Sequence, residues 1–230
     1  MPNTYFRFRQ FTVHQDKTAM KVCTDACLFG AWIAAETGNE KIERVLDIGA
    51  GTGLLSLMIA QQTGALIDAV EIEENAYAQA SENFEASPWN DRLKVHCTSV
   101  QQFDPSYQFD LIISNPPFYE NDLLSPDKQK NLAMHSTQLG VDELFSAVKR
   151  LLAPGGKLGM LIPYFRVEEI ERKISESKLF IIKKVAVKQT EHHSPFRCMY
   201  LLSDVFFAFS ERKIIVKDEE FSMLLKNYYL

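Results

Sequence analysis

Apolar runs of strand length alternate along this chain with amphipathic stretches of helical length. That alternation is what a parallel sheet requires when helices cover both of its faces. The apolar runs predict strands over 44–48, 66–72, 93–97, 109–114, 159–162, 180–187 and 199–209, with helices over roughly 54–63, 73–86, 141–152 and 167–177. Ala153-Pro154-Gly155-Gly156 is a break at which the helix before the fifth strand must stop. The last two strands, joined by the polar loop 189–196, read as an antiparallel pair. The fold class is therefore α/β: an open, doubly wound seven-stranded sheet, mostly parallel with an antiparallel last strand. Its ligand belongs beyond the carboxyl ends of the central strands.

With 230 residues and 46% hydrophobic content, the chain suits one domain with a substantial core. It divides into an N-terminal segment 1–40 expected beside substrate and cofactor, a core 41–210, and an extension 211–230 that reads either as a closing helix or as a frayed tail. No stretch reaches the roughly 18 consecutive apolar residues of a membrane span, and no signal-peptide pattern opens the chain, so a soluble cytoplasmic protein without a membrane partner is expected; its oligomeric state is open, with a monomer favoured. Cys23, Cys27, Cys97 and Cys198 lie among apolar residues and read as reduced core positions. The pair His192-His193 is too compressed against Cys198 to match a zinc pattern, so no metal is expected.

A net charge of −5 argues against a general polyanion binder. Two segments differ from the whole. Residues 1–21 carry Arg7, Arg9, Lys17 and Lys21 against Asp16 alone, and residues 183–197 carry Lys183, Lys184, Lys188 and Arg197 against Glu191 alone. Each can be a solvated face; their occurrence together beside a base-sized site favours contact with nucleic acid.

Two turns fall where an open sheet binds its ligand. The first strand, Val45-Leu46-Asp47-Ile48, leads into Gly49-Ala50-Gly51-Thr52-Gly53, where missing side chains let backbone approach a ligand at the start of a helix. A dinucleotide loop, G-x-G-x-x-G, wants a small residue at position 54; Leu54 stands there, which demotes hydride chemistry. Glu71 ends the second strand, where a carboxylate can accept from both hydroxyls of a ribose, although alone it reads as a solvated strand end. The fourth strand runs straight into Asn115-Pro116-Pro117-Phe118. The prolines make that turn stiff and display its carbonyl groups. The Asn115 side-chain oxygen and the Pro116 carbonyl can both accept from one NH2, while Phe118 supplies a flat face for a ring, with Tyr119 as a second wall.

Asp47-x-Gly49-x-Gly51-x-Gly53, Glu71 and Asn115-Pro116-Pro117-Phe118, in this order and on these strands, resemble the S-adenosylmethionine-dependent amino methyltransferases of the Rossmann-like class over about residues 17–210. More narrowly, Phe11-Thr12-Val13, the stretch 20–32 and Ser87-Pro88-Trp89 look like the bacterial tRNA adenine-N6 methyltransferases that act on valine tRNA beside its anticodon. The resemblance implies S-adenosyl-L-methionine as cofactor and tRNA as partner. It places Gly49, Gly51 and Gly53 against the methionine and ribose, Asp47 on the loop and the cofactor amine, Glu71 on the ribose, and Thr24 and Asp25 at the methionine end with help from Lys21. Ser99 stands where relatives carry Asp for the adenine amine, and Cys23 where they carry Gly.

An aromatic amine is a poor nucleophile because its lone pair is delocalised, and no strong base is needed to use it. Two acceptors, Asn115 and the Pro116 carbonyl, draw the nitrogen toward tetrahedral geometry and stabilise the developing positive charge. Phe118 stacks on a base that has left its neighbours in the RNA. The stretch 120–135, with Lys128, Lys130 and His135, reads either as a segment closing over that base or as a surface loop without a role. Arg7, Arg9, Lys21, Lys184, Lys188 and Arg197 are the expected RNA contacts, Arg197 the best suited to phosphate. The rivals are a release-factor glutamine-N5 enzyme, a ribosomal-RNA guanine-N2 enzyme and a nucleotide-binding scaffold without activity.

Overall fold

A computed structural model describes residues 3–18, 20–116 and 139–230. Pro117, Phe118, Tyr119 and the stretch 120–135 lie outside the described residues. The chain opens with a short antiparallel ribbon, β1 (Tyr5–Arg7) and β2 (Thr12–His14), followed by helix α1 (Thr24–Thr37). Strand β3 (Arg44–Ile48), helix α2 (Leu54–Gln62), β4 (Leu66–Glu71), α3 (Glu74–Glu85), β5 (Leu93–Cys97) and β6 (Phe109–Ser114) form the first half of the main unit. After the segment outside description come α4 (Val141–Leu151), β7 (Leu152–Pro163), α5 (Val167–Ser177), β8 (Phe180–Lys188), β9 (Arg197–Ser203), β10 (Ser210–Ile215) and α6 (Glu219–Leu225).

The main sheet has the order β10-β8-β9-β7-β6-β3-β4-β5, and β9 alone runs against its neighbours. Side chains alternate between the two faces, and both faces are apolar. Val45, Ile67, Ala69, Leu111, Ile113 and Leu161 pack in one cluster with α1, α2 and α6. Leu46, Ile48, Val70, Ile112, Leu158, Met160 and Ile162 pack in the other with α4 and α5. Helix α1 presses closely on β7: a Cβ at Gly159 would lie 2.5 Å from Cδ1 of Ile33.

All seven expected strands are present, and an eighth, β10, joins the edge beside β8. The expected strand 199–209 stops early, and residues 204–209 are not strand. β9 ends at Ser203, the Val205 amide donates to Ser203 Oγ at 3.2 Å, and Asp204 accepts from the Gly155 amide at 2.9 Å. The chain turns away there and returns as β10. Strand β7 begins seven residues before its expected start, because Leu152 already pairs with Phe109 across an irregularity between Phe109 and Leu111. The C-terminal stretch takes the closing-helix alternative: Asp218 Oδ1 caps α6 by accepting from the Phe221 amide at 2.7 Å.

Candidate functional site

Strand register brings the two special turns together. Ile48 of β3 is opposite Ser114 of β6, and Ser114 Oγ donates to the Ile48 carbonyl at 2.9 Å. Gly49 and Asn115, the next residue on each strand, therefore leave the sheet side by side. On the other flank Ile48 is opposite Val70, and Glu71 is opposite Cys97, two residues before Ser99. The glycine loop, Glu71, Ser99 and the Asn115-Pro116 turn thus share one carboxyl edge, the place an open α/β sheet offers a ligand.

Gly49, Gly51 and Gly53 have φ of +75°, +56° and +78°, a region that favours glycine. A Cβ at Gly49 or Gly51 would meet no atom within 4 Å, so the loop presents open space where side chains would otherwise project. A Cβ at Gly53 would lie 2.5 Å from the Phe84 ring, which fixes how close α3 stands to the start of α2. The loop is tied down from three sides. The Gly49 amide donates to the Val70 carbonyl at 2.9 Å, the Gly51 amide to Glu71 Oε2 at 2.8 Å, and Asn83 Nδ2 to the Thr52 carbonyl at 2.9 Å. Glu71 Oε1 also accepts from the Glu73 amide at 3.0 Å. Each carboxylate oxygen can accept more than one bond, so a diol remains within its capacity.

Asp47 is fully buried, on the strand face that meets α2. Its Oδ2 accepts from Ser56 Oγ at 2.7 Å and from the Ser56 amide at 3.2 Å, whereas Oδ1 is buried without a partner. Burial, the largest influence, pushes its pKa up to about 6 against the two Ser56 bonds, and the Glu71 charge adds to the rise. A buried carboxylate oxygen without a hydrogen-bond donor is costly.

Thr24 is exposed as the first residue of α1. Asp25 faces Arg197, whose Nε donates to Oδ2 at 2.6 Å. Burial works against ionisation of Asp25, but the bonds from Cys23 and Arg197 outweigh it and hold the carboxyl below its ordinary value. Ser99 is half-buried after β5, and its carbonyl accepts from the amides of Gln102 and Phe103 at 3.1 and 3.0 Å. Asn115 is half-buried and Pro116 buried. Of the cysteines, Cys27 and Cys198 are core residues as expected and Cys23 is half-buried, while Cys97 is exposed because it ends β5 on the open edge.

The expected RNA contacts divide. Arg7 is exposed on the ribbon. Arg9 is exposed but its Nε donates to the Tyr229 carbonyl, and Lys21 Nζ donates to the carbonyls of Gln15 and Thr18. Lys188 Nζ donates to the Glu191 carbonyl. Lys184 is a correction: it is mostly buried between Glu171 and Glu211, at 2.9 and 3.2 Å, and serves the edge of the sheet. Burial would lower its pKa, but those two carboxylates push it up to about 12. Arg197 is likewise committed to Asp25, and Lys183 to Glu36. The local excess of positive charge over 183–197 is therefore largely cancelled by acidic residues distant in sequence.

Two residues that hold the site were missed. Asn83 and Gln79 are buried on α3; Asn83 bonds the His14 backbone on both sides, at 2.8 and 2.9 Å, and Gln79 Oε1 accepts from the Lys17 amide at 2.9 Å. They seat the N-terminal segment next to Thr52. The signal was available: two amides four residues apart on a helix face shared with Ala76 and Ala80.

Among the described residues, no group of three or more His, Cys, Asp or Glu is arranged to hold a metal, and no helix is long and apolar enough to cross a membrane. The chain matches the model of the methyltransferase small domain over residues 29–177. It is 43% identical, over 99% of its own length and 98% of the other, to the tRNA1(Val) (adenine(37)-N6)-methyltransferase of Dyadobacter fermentans. Identity is 41% to the protein of the same name in Flavobacterium psychrophilum, covering 98% of this chain and 99% of that one. Among solved structures it is similar to the glycopeptide N-methyltransferase MtfA complexed with S-adenosyl-L-methionine, with a TM-score of 0.58, 14% identity, and coverage of 78% of this chain and 94% of that one. At that identity the likeness shows the fold alone.

Proposed function

Because the chain belongs to the family of bacterial tRNA1(Val) (adenine(37)-N6)-methyltransferases, we propose that the carboxyl edge just described binds S-adenosyl-L-methionine and presents the N6 amine of adenine 37 of that tRNA to it. The observation that carries the reading is the pairing, at adjacent strand ends, of a glycine loop with a buried unpartnered carboxylate oxygen and the Asn115-Pro116 turn.

The residues present fit the cofactor. Asp47 Oδ1 is a buried acceptor waiting for a donor, which suits an amine, and the open space at Gly49 and Gly51 suits close approach of a ligand to backbone. Glu71 takes the ribose hydroxyls and Ser99 the adenine amine, with Thr24, Asp25 and Gly53 bounding the rest. When bound, the cofactor supplies a methyl group on a sulfonium centre. Asn115 accepts one N–H of the adenine amine and the Pro116 carbonyl the other, so the nitrogen lone pair turns away from the ring and toward the methyl group. The same two oxygens lie against the charge that develops on nitrogen. Pro117 and Phe118 lie outside the described residues; by sequence alone, Phe118 is the ring proposed to stack on the extruded base. The segment 1–40 borders the substrate side, 41–210 carries the chemistry, and the enzyme acts as a monomer in the cytoplasm on tRNA.

The test is methyl transfer from radiolabelled S-adenosylmethionine to bulk tRNA, ribosomal RNA and release factor, followed by nucleoside analysis. Label is expected as N6-methyladenosine in tRNA; label as N2-methylguanosine, or in release factor alone, overturns the substrate. In the same assay Asn115→Ala is expected to lower kcat by about a hundredfold or more with little change in cofactor affinity. An equal loss of both makes Asn115 a cofactor contact only.

A further inference from the structure

Two exposed aromatic rings stand on the same edge of the sheet as the catalytic turn and have no part in the site so far. Phe165 is 65% exposed and lies two residues beyond the end of β7, the strand next to β6, which delivers Asn115. Phe196 is 37% exposed and closes the loop 189–196 immediately before β9. The two loops are stitched together: the Tyr164 amide donates to the Phe196 carbonyl at 3.1 Å, and the Phe196 amide donates to the Val187 carbonyl at 2.9 Å. On the far side of Phe165, Arg166 forms a two-pronged bond with Glu169 at 2.8 and 2.7 Å. Backbone around both rings is thus fixed, and neither ring stacks on another ring among the described residues. Large apolar faces held out in water on rigid backbone are set up to cover a partner's flat face at small entropic cost.

The neighbouring charges indicate what partner. Lys188, at the base of the same loop, donates to the Glu191 carbonyl, and the acidic Glu191 side chain is itself paired with Lys213. Exposed rings with a lysine beside them suit single-stranded nucleic acid, whose bases stack and whose phosphates seek positive charge. The reaction also creates a need for such a surface. Extruding one base from an RNA stack leaves the adjacent base with a bare face, and an aromatic ring at the rim replaces the lost stacking. We infer that Phe165, with Phe196 beside it, is a ledge on which the nucleotide flanking the methylated adenine stacks. This rests on the tRNA reading above.

The experiment is steady-state methylation of valine tRNA by the full chain and its variants, together with the cofactor dissociation constant of each. Phe165→Ala is expected to raise KM for tRNA about tenfold, the size of one lost base–aromatic stack, while kcat at saturating tRNA and cofactor affinity hold. Phe165→Trp is expected to restore KM to within about twofold, which a merely structural role for the side chain has no reason to allow. Phe206→Ala, which removes a 74% exposed ring in the turn that follows β9 on the opposite edge, is the control and leaves KM unchanged. If the wild-type chain methylates tRNA and Phe165→Ala does so with unaltered KM, the ledge is wrong and the activity stands. If the wild-type chain does not methylate tRNA, both fall together.

Discussion

Asp47 is the residue on which burial and function meet most directly. A carboxylate in the core, satisfied at one oxygen by Ser56 and at the other by nothing, is unfavourable as an anion, which is why its pKa rises to about 6. In the unfolded chain it lies near 4, so the folded protein takes up a proton between about pH 4 and pH 6. The stabilising contribution of this group is therefore greatest at acid pH and is lost as the pH rises through 6. Binding a cationic amine reverses the preference, because the anion is then the favoured partner. Cofactor affinity should be flat above about pH 6 and weaken toward tenfold per pH unit below it. Calorimetric titration from pH 5 to 8 measures this, and Asp47→Asn should give weaker, pH-independent binding. A wild-type profile without a break near pH 6 removes Asp47 from the amine.

At the scale of elements, the far edge of the sheet separates structural charge from charge available to RNA. Strand β8 supplies Lys184, and α5 and β10 supply the Glu171 and Glu211 that enclose it. Replacing it with Met should lower stability by about 1–3 kcal/mol by removing the buried ammonium that holds the Glu171 and Glu211 carboxylates together. Its tRNA affinity and salt dependence should not change. Arg7→Ala on the ribbon should do the opposite: leave the melting temperature alone, weaken tRNA binding, and reduce the slope of log affinity against log salt by about one. If Lys184→Met changes the slope and Arg7→Ala does not, the assignment of the two surfaces is inverted. The contrast also shows what was legible in the sequence. The central strands and the two turns were readable because a buried parallel strand is a continuous apolar run and a ligand turn declares itself through glycine or proline. The fate of Lys184 and Arg197 was not, because their partners Glu171, Glu211 and Asp25 are brought to them only by the packing of separate helices and strands. Strand β10 escaped for a related reason: Ser210, Glu211, Arg212 and Lys213 are exposed, and an edge strand has no apolar run to betray it.

Over the whole molecule, the two ends of the described chain hold each other. The Arg9 amide donates to the Tyr228 carbonyl at 2.9 Å, and Tyr229 lies 6.0 and 6.2 Å from the rings of Phe6 and Phe8. Tyr228 is 2% exposed, packs in the same core as α1 and α2, and donates its hydroxyl to the Met58 carbonyl at 3.1 Å. On its other side the ribbon continues into the segment that Asn83 and Gln79 fasten beside the glycine loop. The C-terminal helix and tail thus form the floor on which the N-terminal segment rests, and the position of Arg7 depends on residues more than 200 places away in sequence. Tyr228→Ala should cost about 3–5 kcal/mol as a buried ring lost from a packed core, whereas Tyr228→Phe should cost about 1 kcal/mol for its hydrogen bond. At a temperature where Tyr228→Ala is still folded, KM for tRNA should rise before cofactor affinity does, because the ribbon loosens while Asp47, Glu71 and the loop keep their own ties to the sheet. Melting curves and the two constants measured on one preparation decide it. Cofactor affinity lost in parallel with tRNA affinity means that the terminal floor supports the glycine loop as well as the ribbon.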